Sequence, residues 1–224
     1  MSILEHVVYR DAELVVVDKP PGIVSCGPDR DGPEGPRHSV ESLLVAALGV
    51  RQIWAIHQLD RETSGLNLFA LKKGAVQVWA ERLKLEGAKR YLALTHGVPR
   101  LGLVTAAIGE RVDPATGKTF PAVVADDAPG ARAASSIIMD ARANADLSAA
   151  LVEIRPLTGR THQVRLHLAH LGCPVLGEKI HASPPSMAHV RHALHAWRLV
   201  FADRTFEAPL AADLRALGAR FGLC

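Results

Sequence analysis

Short apolar runs recur along this chain, and each is cut off by a turn before it could complete three turns of helix. Leu14–Asp18 (LVVVD) stops at Lys19-Pro20-Pro21-Gly22; residues 65–71 (GLNLFAL), Leu151–Ile154 and Leu194–Phe201 are of the same kind. Runs of this length, rich in Val, Leu and Ile and bounded by turn residues, predict buried strands. Further short strands are expected from Tyr91–Leu94, Leu103–Ile108, Thr119–Val124 and Ser136–Met139. Helical spacing is confined to four places. Val40, Leu43, Leu44, Ala47 and Leu48 form one stripe, opened by Ser39 as N-cap and closed by Gly49. Ser42 stands where the Glu of a capping box belongs, so the box is read as absent. Residues 75–86, Thr161–Leu171 (with Gly172 as its stop) and Leu210–Leu217 are the other three. Strands outnumber helices and do not alternate with them strictly, which predicts an α+β fold rather than a doubly wound α/β one.

No repeat or linker divides the sequence, so a single domain over residues 1–224 is expected. Residues 27–38, dense in Gly, Pro and charge, read as an exposed loop, and 110–148 carry the weakest pattern. At 48% apolar and 22% charged residues the chain has the composition of an ordinary globular protein. No run approaches the roughly 20 apolar residues of a membrane span, and the first residues lack the basic lead and apolar stretch of a signal peptide. Cys26, Cys173 and Cys224 supply neither a disulfide framework nor a zinc spacing, which suits a reducing cytoplasm. A net charge of +3 permits an RNA partner without demanding one.

Three stretches hold residues suited to chemistry. In His57-Gln58-Leu59-Asp60-Arg61-Glu62-Thr63-Ser64-Gly65, Asp60 lies between an apolar stretch and a turn that leads into a strand. A carboxylate there is either a turn cap or a group fixed by the scaffold and open on one side. In Leu157-Thr158-Gly159-Arg160-Thr161-His162-Gln163-Val164-Arg165, a turn brings Arg160 to a helix start with Arg165 inside it. That is either a solvated basic face or a site for phosphate or carboxylate. In Lys89-Arg90-Tyr91, two cations precede one of only two tyrosines, on an edge strand or as a stacking platform. The histidines 162, 167 and 170, and 189, 192 and 195, lack the motifs of a metal centre, and none is expected. Trp54, Trp79 and Trp197 read as core.

Taken in order, Asp18-Lys19-Pro20-Pro21-Gly22, HQLDRETSGL, KRYLAL, LTGRTHQVRLHLAHLGCPVLGE, Leu194-His195-Ala196-Trp197 and Phe206-Glu207-Ala208-Pro209 resemble the RluA-like pseudouridine synthases from about Asp11 to Asp213. The resemblance implies the pseudouridine synthase catalytic fold, a mixed and mostly antiparallel central sheet flanked by helices and loops. It implies isomerisation of uridine to pseudouridine in a ribosomal or transfer RNA stem-loop, without metal or cofactor. Asp60 matches the family's nucleophile, Tyr91 the tyrosine that stacks on the target base and assists a late proton transfer, and Arg165 the cation paired with the aspartate. Lys19, Lys89, Arg90 and Arg160 are expected near phosphates. Gln58 stands where relatives commonly carry an arginine that fills the gap left by the flipped base, and Arg61 is a substitute for it. A monomer without the accessory N-terminal RNA-binding domain of many relatives is expected. Two other readings compete: a non-catalytic RNA-binding or ribosome-assembly protein, favoured by Gln58, and a hydrolase using Glu62 as its general acid.

Overall fold

The computed structural model describes residues 2–27, 38–86, 88–114 and 116–223. In chain order, a 3₁₀ turn (Ile3–His6) precedes β1 (Val7–Arg10), β2 (Leu14–Lys19), α1 (Val40–Leu48), β3 (Trp54–Ala55), β4 (Ser64–Ala70) and α2 (Lys73–Leu85). Then come β5 (Ala88–His96), β6 (Gly102–Thr105), β7 (Ile108–Val112), β8 (Thr119–Val123), β9 (Ser135–Ala143) and β10 (Ala149–Pro156). The last elements are α3 (Gln163–His170), β11 (Leu194–Val200), β12 (Thr205–Glu207) and α4 (Ala212–Arg220). The chain separates into two compact units, Met1–Lys89 with His195–Ala211, and Arg90–Leu194 with Ala212–Cys224.

In the first unit the strand order is β1-β2-β4-β11, with β3 added to β4 and β12 to β11. The pairs are antiparallel except β4 with β11. All seven residues of β4 are buried, because both faces of its sheet are covered. Leu14, Val16, Leu66, Leu68 and Ala70 pack on Trp79 and Leu83 of α2. Val15, Val17 and Phe69 point the other way, onto Val40 and Leu44 of α1 and onto Ile53. A strand with no solvent face loses its polar alternation, so these segments appear in the sequence as unbroken apolar runs.

In the second unit the order is β5-β10-β9-β6, antiparallel throughout, and β7 and β8 form a separate hairpin. The core of that sheet is the middle of β10, where Val152 and Ile154 are fully buried and pair with Ala93 and Tyr91 of β5. Helix α4 buries Leu214 and Leu217. Its Asp213 is fixed to Arg191 by two hydrogen bonds of 2.7 and 2.9 Å.

The expected α+β class with mostly antiparallel pairing is what the chain adopts. Several local readings need correction. A capping box does open α1: Ser39 Oγ accepts from the Ser42 amide, and Ser42 Oγ accepts from the Ser39 amide. A serine hydroxyl thus does the work assigned to Glu. Leu103–Ile108 is split between β6 and β7, with a break at Ala106 and Ala107. Helix α3 begins two residues late, because His162 sits in the left-handed region at φ 55° and cannot join it. His189 and His192 lie outside any helix, although their spacing with His195 fits one helix face, and His195 is on β11. Of the three tryptophans, Trp79 is core while Trp54 and Trp197 are half-buried. Most of the loop read over 27–38 lies outside the described residues.

Candidate active site

Asp60 opens a tight turn in which the Thr63 amide donates to its carbonyl at 3.0 Å. The chain is held on both sides of it. Before it, the amide of buried Leu59 donates to Ser25 Oγ at 2.9 Å. After it, the Arg61 carbonyl accepts from the Gly22 amide and from Lys19 Nζ. The segment then enters β4 through Gly65, whose φ is +105° and whose Cβ, if it had one, would lie 2.2 Å from the carbonyl oxygen of Ala196. Only glycine lets the strand pass that close to β11. Asp60 itself is half-buried.

His57 braces the same segment. Its carbonyl accepts from Asn67 Nδ2 at 2.8 Å, and its Nε2 accepts from the Leu68 amide. Burial, aided by the charge of Lys89, lowers its pKa to about 3, so the ring is neutral at physiological pH. An Nε2 that accepts leaves the proton on Nδ1. Next to this brace, Ser64 Oγ meets His195 Nδ1 at 2.9 Å, inside the unit.

Lys19, expected near a phosphate, is engaged by the protein itself. The residue is fully buried, and its ammonium donates to the carbonyls of Pro20, Ile23 and Arg61 at 2.8–2.9 Å. It ties the Pro-Pro-Gly turn to the turn that carries Asp60. Arg61 is half-buried, with Nε on the Gly22 carbonyl, and Gln58 is exposed. Lys89 is half-buried, and desolvation pushes its pKa down.

In the second unit, Tyr91 pairs with Ile154 across β5 and β10 and is 8% exposed. Arg90 places Nη1 on Glu153 at 2.9 Å, an ion pair within the unit. Arg165 is buried, and Glu178 grips it through Nε–Oε2 and Nη2–Oε1 bonds, both 2.8 Å. Burial alone would raise the Glu178 carboxyl. The hydrogen bonds and charge of Arg165, with the amides of Ile180 and His181, outweigh it and hold the pKa at about 2. The chain reaches Glu178 through Gly177, at φ +79°, where a Cβ would come within 2.1 Å of the Arg191 carbonyl oxygen.

At the start of α3, read as a solvated basic face or a site for phosphate or carboxylate, Arg165 holds the Glu178 carboxylate and Gln163 ties up the turn before the helix. Gln163 Oε1 accepts the Arg160 amide and the Thr158 hydroxyl, and its Nε2 donates to the Ser135 carbonyl and Ser136 Oγ. Ser136 Oγ in turn meets His167 Nδ1 at 2.9 Å. Arg160 rests Nε on the Ala133 carbonyl. The Thr158–His167 motif therefore builds a rigid polar web that locks α3 and its Arg165 onto β9. Sequence reasoning gave no role to Glu178, Gln163 or Asn67. Glu178 ends the motif LTGRTHQVRLHLAHLGCPVLGE and was within reach; the brace by Asn67 depends on a bend that no local spacing reveals. Among the described residues, no three His, Cys, Asp or Glu side chains gather as a metal-ligand set.

A family profile described as RNA pseudouridylate synthase matches residues 13–170. An uncharacterized RNA pseudouridine synthase of Zymomonas mobilis is 32% identical, over 96% of this chain and 97% of its own length. The dual-specificity RNA pseudouridine synthase RluA of Haemophilus ducreyi is 31% identical, over 92% of this chain and 89% of that protein. Among solved structures, human RNA pseudouridylate synthase domain containing 4 shares the fold, with a TM-score of 0.77, 24% identity and coverage of 98% of this chain and 94% of that one. The family's profile spans the Asp60 turn, Tyr91 and Arg165 alike, and this chain belongs to the RNA pseudouridine synthases, enzymes that isomerise uridine in RNA to pseudouridine.

Proposed function

We propose that this protein isomerises a uridine in structured ribosomal or transfer RNA, with Asp60 as the nucleophile, Tyr91 as the stacking ring and Arg165 as the cation that keeps the carboxylate ionised. The observation that carries the proposal is the Asp60 turn, fixed by Ser25, Gly22 and Lys19 and lying inside the family match. In the reaction the bond from the ribose to uracil N1 breaks while Asp60 holds the sugar as a covalent adduct. Uracil turns and rejoins through C5, whose proton leaves as N1 regains one. No atom is gained or lost, so no redox partner is needed.

The physics favours this assignment. An opposite charge within about 4–6 Å lowers a carboxylate pKa by roughly 1–3 units, and a guanidinium never loses its own charge. Extruding the target base costs a few kcal/mol; stacking on Tyr91 returns about 1–3 kcal/mol. Two half-buried cations, Lys89 and Arg61, are assigned the phosphate contacts. We place the reaction on a single catalytic domain over residues 1–224, acting as a cytoplasmic monomer.

A second reading, an RNA-binding protein without turnover, has one observation in its favour: exposed Gln58 in place of the arginine that relatives commonly carry. Pseudouridine mapping of total RNA with and without the protein decides between them. A site that vanishes, and returns with wild type but not with Asp60→Ala, is the expected result. Turnover retained by Asp60→Ala would remove Asp60 from the nucleophile's role, and no altered site at all would leave the binding reading in possession.

A further inference from the structure

Against α3 in the second unit lies a cavity of about 360 Å³ that the proposed chemistry does not use. One wall is the β7–β8 hairpin, where Arg111 and Phe120 are direct cross-strand partners and so project from the same face. Leu166 and His170 of α3 form the facing wall, and Ile180 and His181 close it. No acidic side chain is among the lining residues. An apolar floor and one aromatic ring are thus combined with an exposed guanidinium and two imidazoles.

The size falls within the range of about 300–1,000 Å³ typical of small-ligand pockets. A bare phosphate would leave the apolar wall idle, and an apolar segment would leave Arg111 unneutralised. A ligand with a flat base at one end and a phosphate at the other uses both. His181 is already held by His162, Nε2 to Nδ1 at 2.8 Å, so exposed His170 is the second group available to a phosphate. We propose that this cavity takes one unpaired nucleotide of the substrate RNA, other than the target uridine, with its base on Phe120 and a phosphate on Arg111. The proposal rests on the reading of the chain as an RNA-uridine isomerase. It adds a second grip on single-stranded RNA, independent of the residue that reacts.

The two contacts respond differently to salt, which gives the test. Each phosphate neutralised on a single strand contributes about 0.7 to the slope of log affinity against log salt, whereas base stacking contributes nothing to it. Binding of an unmodified large-subunit ribosomal RNA transcript is measured from low to high salt for wild type, Arg111→Gln and Phe120→Leu. Arg111→Gln is expected to weaken binding and flatten the slope by about 0.7. Phe120→Leu, which preserves an apolar side chain in the hairpin, is expected to weaken binding about five-fold or more at unchanged slope. Wild-type affinity in both variants, or no binding of the transcript by wild type, would overturn the proposal. Nucleoside monophosphates serve as the second probe: if they saturate the cavity while RNA affinity ignores both substitutions, the ligand is a free nucleotide and the RNA assignment falls. Turnover by wild type is recorded in parallel. Its absence, together with weakened binding in both variants, would remove the isomerase reading and leave the nucleotide site standing.

Discussion

Glu178 holds Arg165 by two parallel hydrogen bonds of equal length, 2.8 Å, in a part of the second unit that water hardly reaches. The fork fixes the plane of the guanidinium as well as its charge. Glu178 is therefore a positioning residue for the cation assigned to the nucleophile. Removing one partner of a buried pair costs about 3–5 kcal/mol, because the other is left charged and uncompensated. Glu178→Ala is expected to lower the unfolding free energy in urea by that amount. Glu178→Gln keeps the shape and one acceptor, so it is expected to cost less stability while kcat falls more than KM rises. A Glu178→Gln enzyme with wild-type kcat would show that Arg165 needs no such guide.

Acid should destabilise the protein in two stages. His57 is held at about 3 against an ordinary value of 6.5, so the unfolded chain takes up its proton first. The stability it contributes is full above pH 6.5 and drains as pH falls toward 3. Glu178 is held at about 2 against 4.5, so its contribution is full above pH 4.5 and drains toward pH 2. Urea midpoints measured from pH 7 to pH 3 should fall in both windows. In His57→Asn the decline between pH 6.5 and 4.5 should shrink; an undiminished decline there would assign it to another group.

Gly65 and Gly74 invite the same substitution with opposite results. At Gly65 a methyl group meets the Ala196 backbone at 2.2 Å, with φ at +105°. Strain of this kind costs about 1–3 kcal/mol before the clash is counted. Gly65→Ala should therefore lose that much or more and disturb the Asp60 turn five residues away. At Gly74, within α2, nothing lies within 4 Å of the added methyl. There Ala should stabilise by about 0.5–1 kcal/mol, through helix propensity and a less free unfolded chain. Thermal unfolding of the two variants checks the contrast, and a tolerated Gly65→Ala would contradict the close approach of β4 to β11.

What the sequence disclosed follows from how local each cause is. The runs at Leu14–Asp18 and 65–71 were legible as buried strands, because a strand covered on both faces advertises itself by continuous apolarity. The Ser39–Ser42 box was missed because a hydroxyl replaced the expected carboxylate, although the geometry needs only an acceptor. Around Asp60, the motif pointed to the segment but not to its fasteners. Ser25 and Asn67 reach it from 34 and 10 residues away, separations that carry no periodic signal. Arg90 and Arg160 read as free cations because their engagements, with Glu153 and the Ala133 carbonyl, depend on strand register and loop path. The weakly patterned 110–148 yielded the hairpin and much of β9, strands with few fully buried positions and hence little to read.

Lys19 is the case in which residue type pointed one way and burial the other. A lysine beside a Pro-Pro-Gly turn in an RNA enzyme suggests a phosphate contact, yet its ammonium is out of water on three carbonyls. Lys19→Met, similar in length but without donors, leaves those carbonyls short of a partner at about 1–3 kcal/mol for each one that water cannot reach. It should lower the urea midpoint, and it should lower turnover because the Arg61 carbonyl adjoins Asp60. The salt dependence of RNA binding should keep its wild-type slope, since no phosphate contact is lost. Lys89→Met supplies the opposite expectation: a half-buried cation proposed to meet RNA should flatten the slope by about 0.7–0.9. If Lys19→Met flattened the slope by that amount, its ammonium would have to leave the three carbonyls when RNA binds, and the Pro-Pro-Gly turn would be a moving part of the site rather than its anchor.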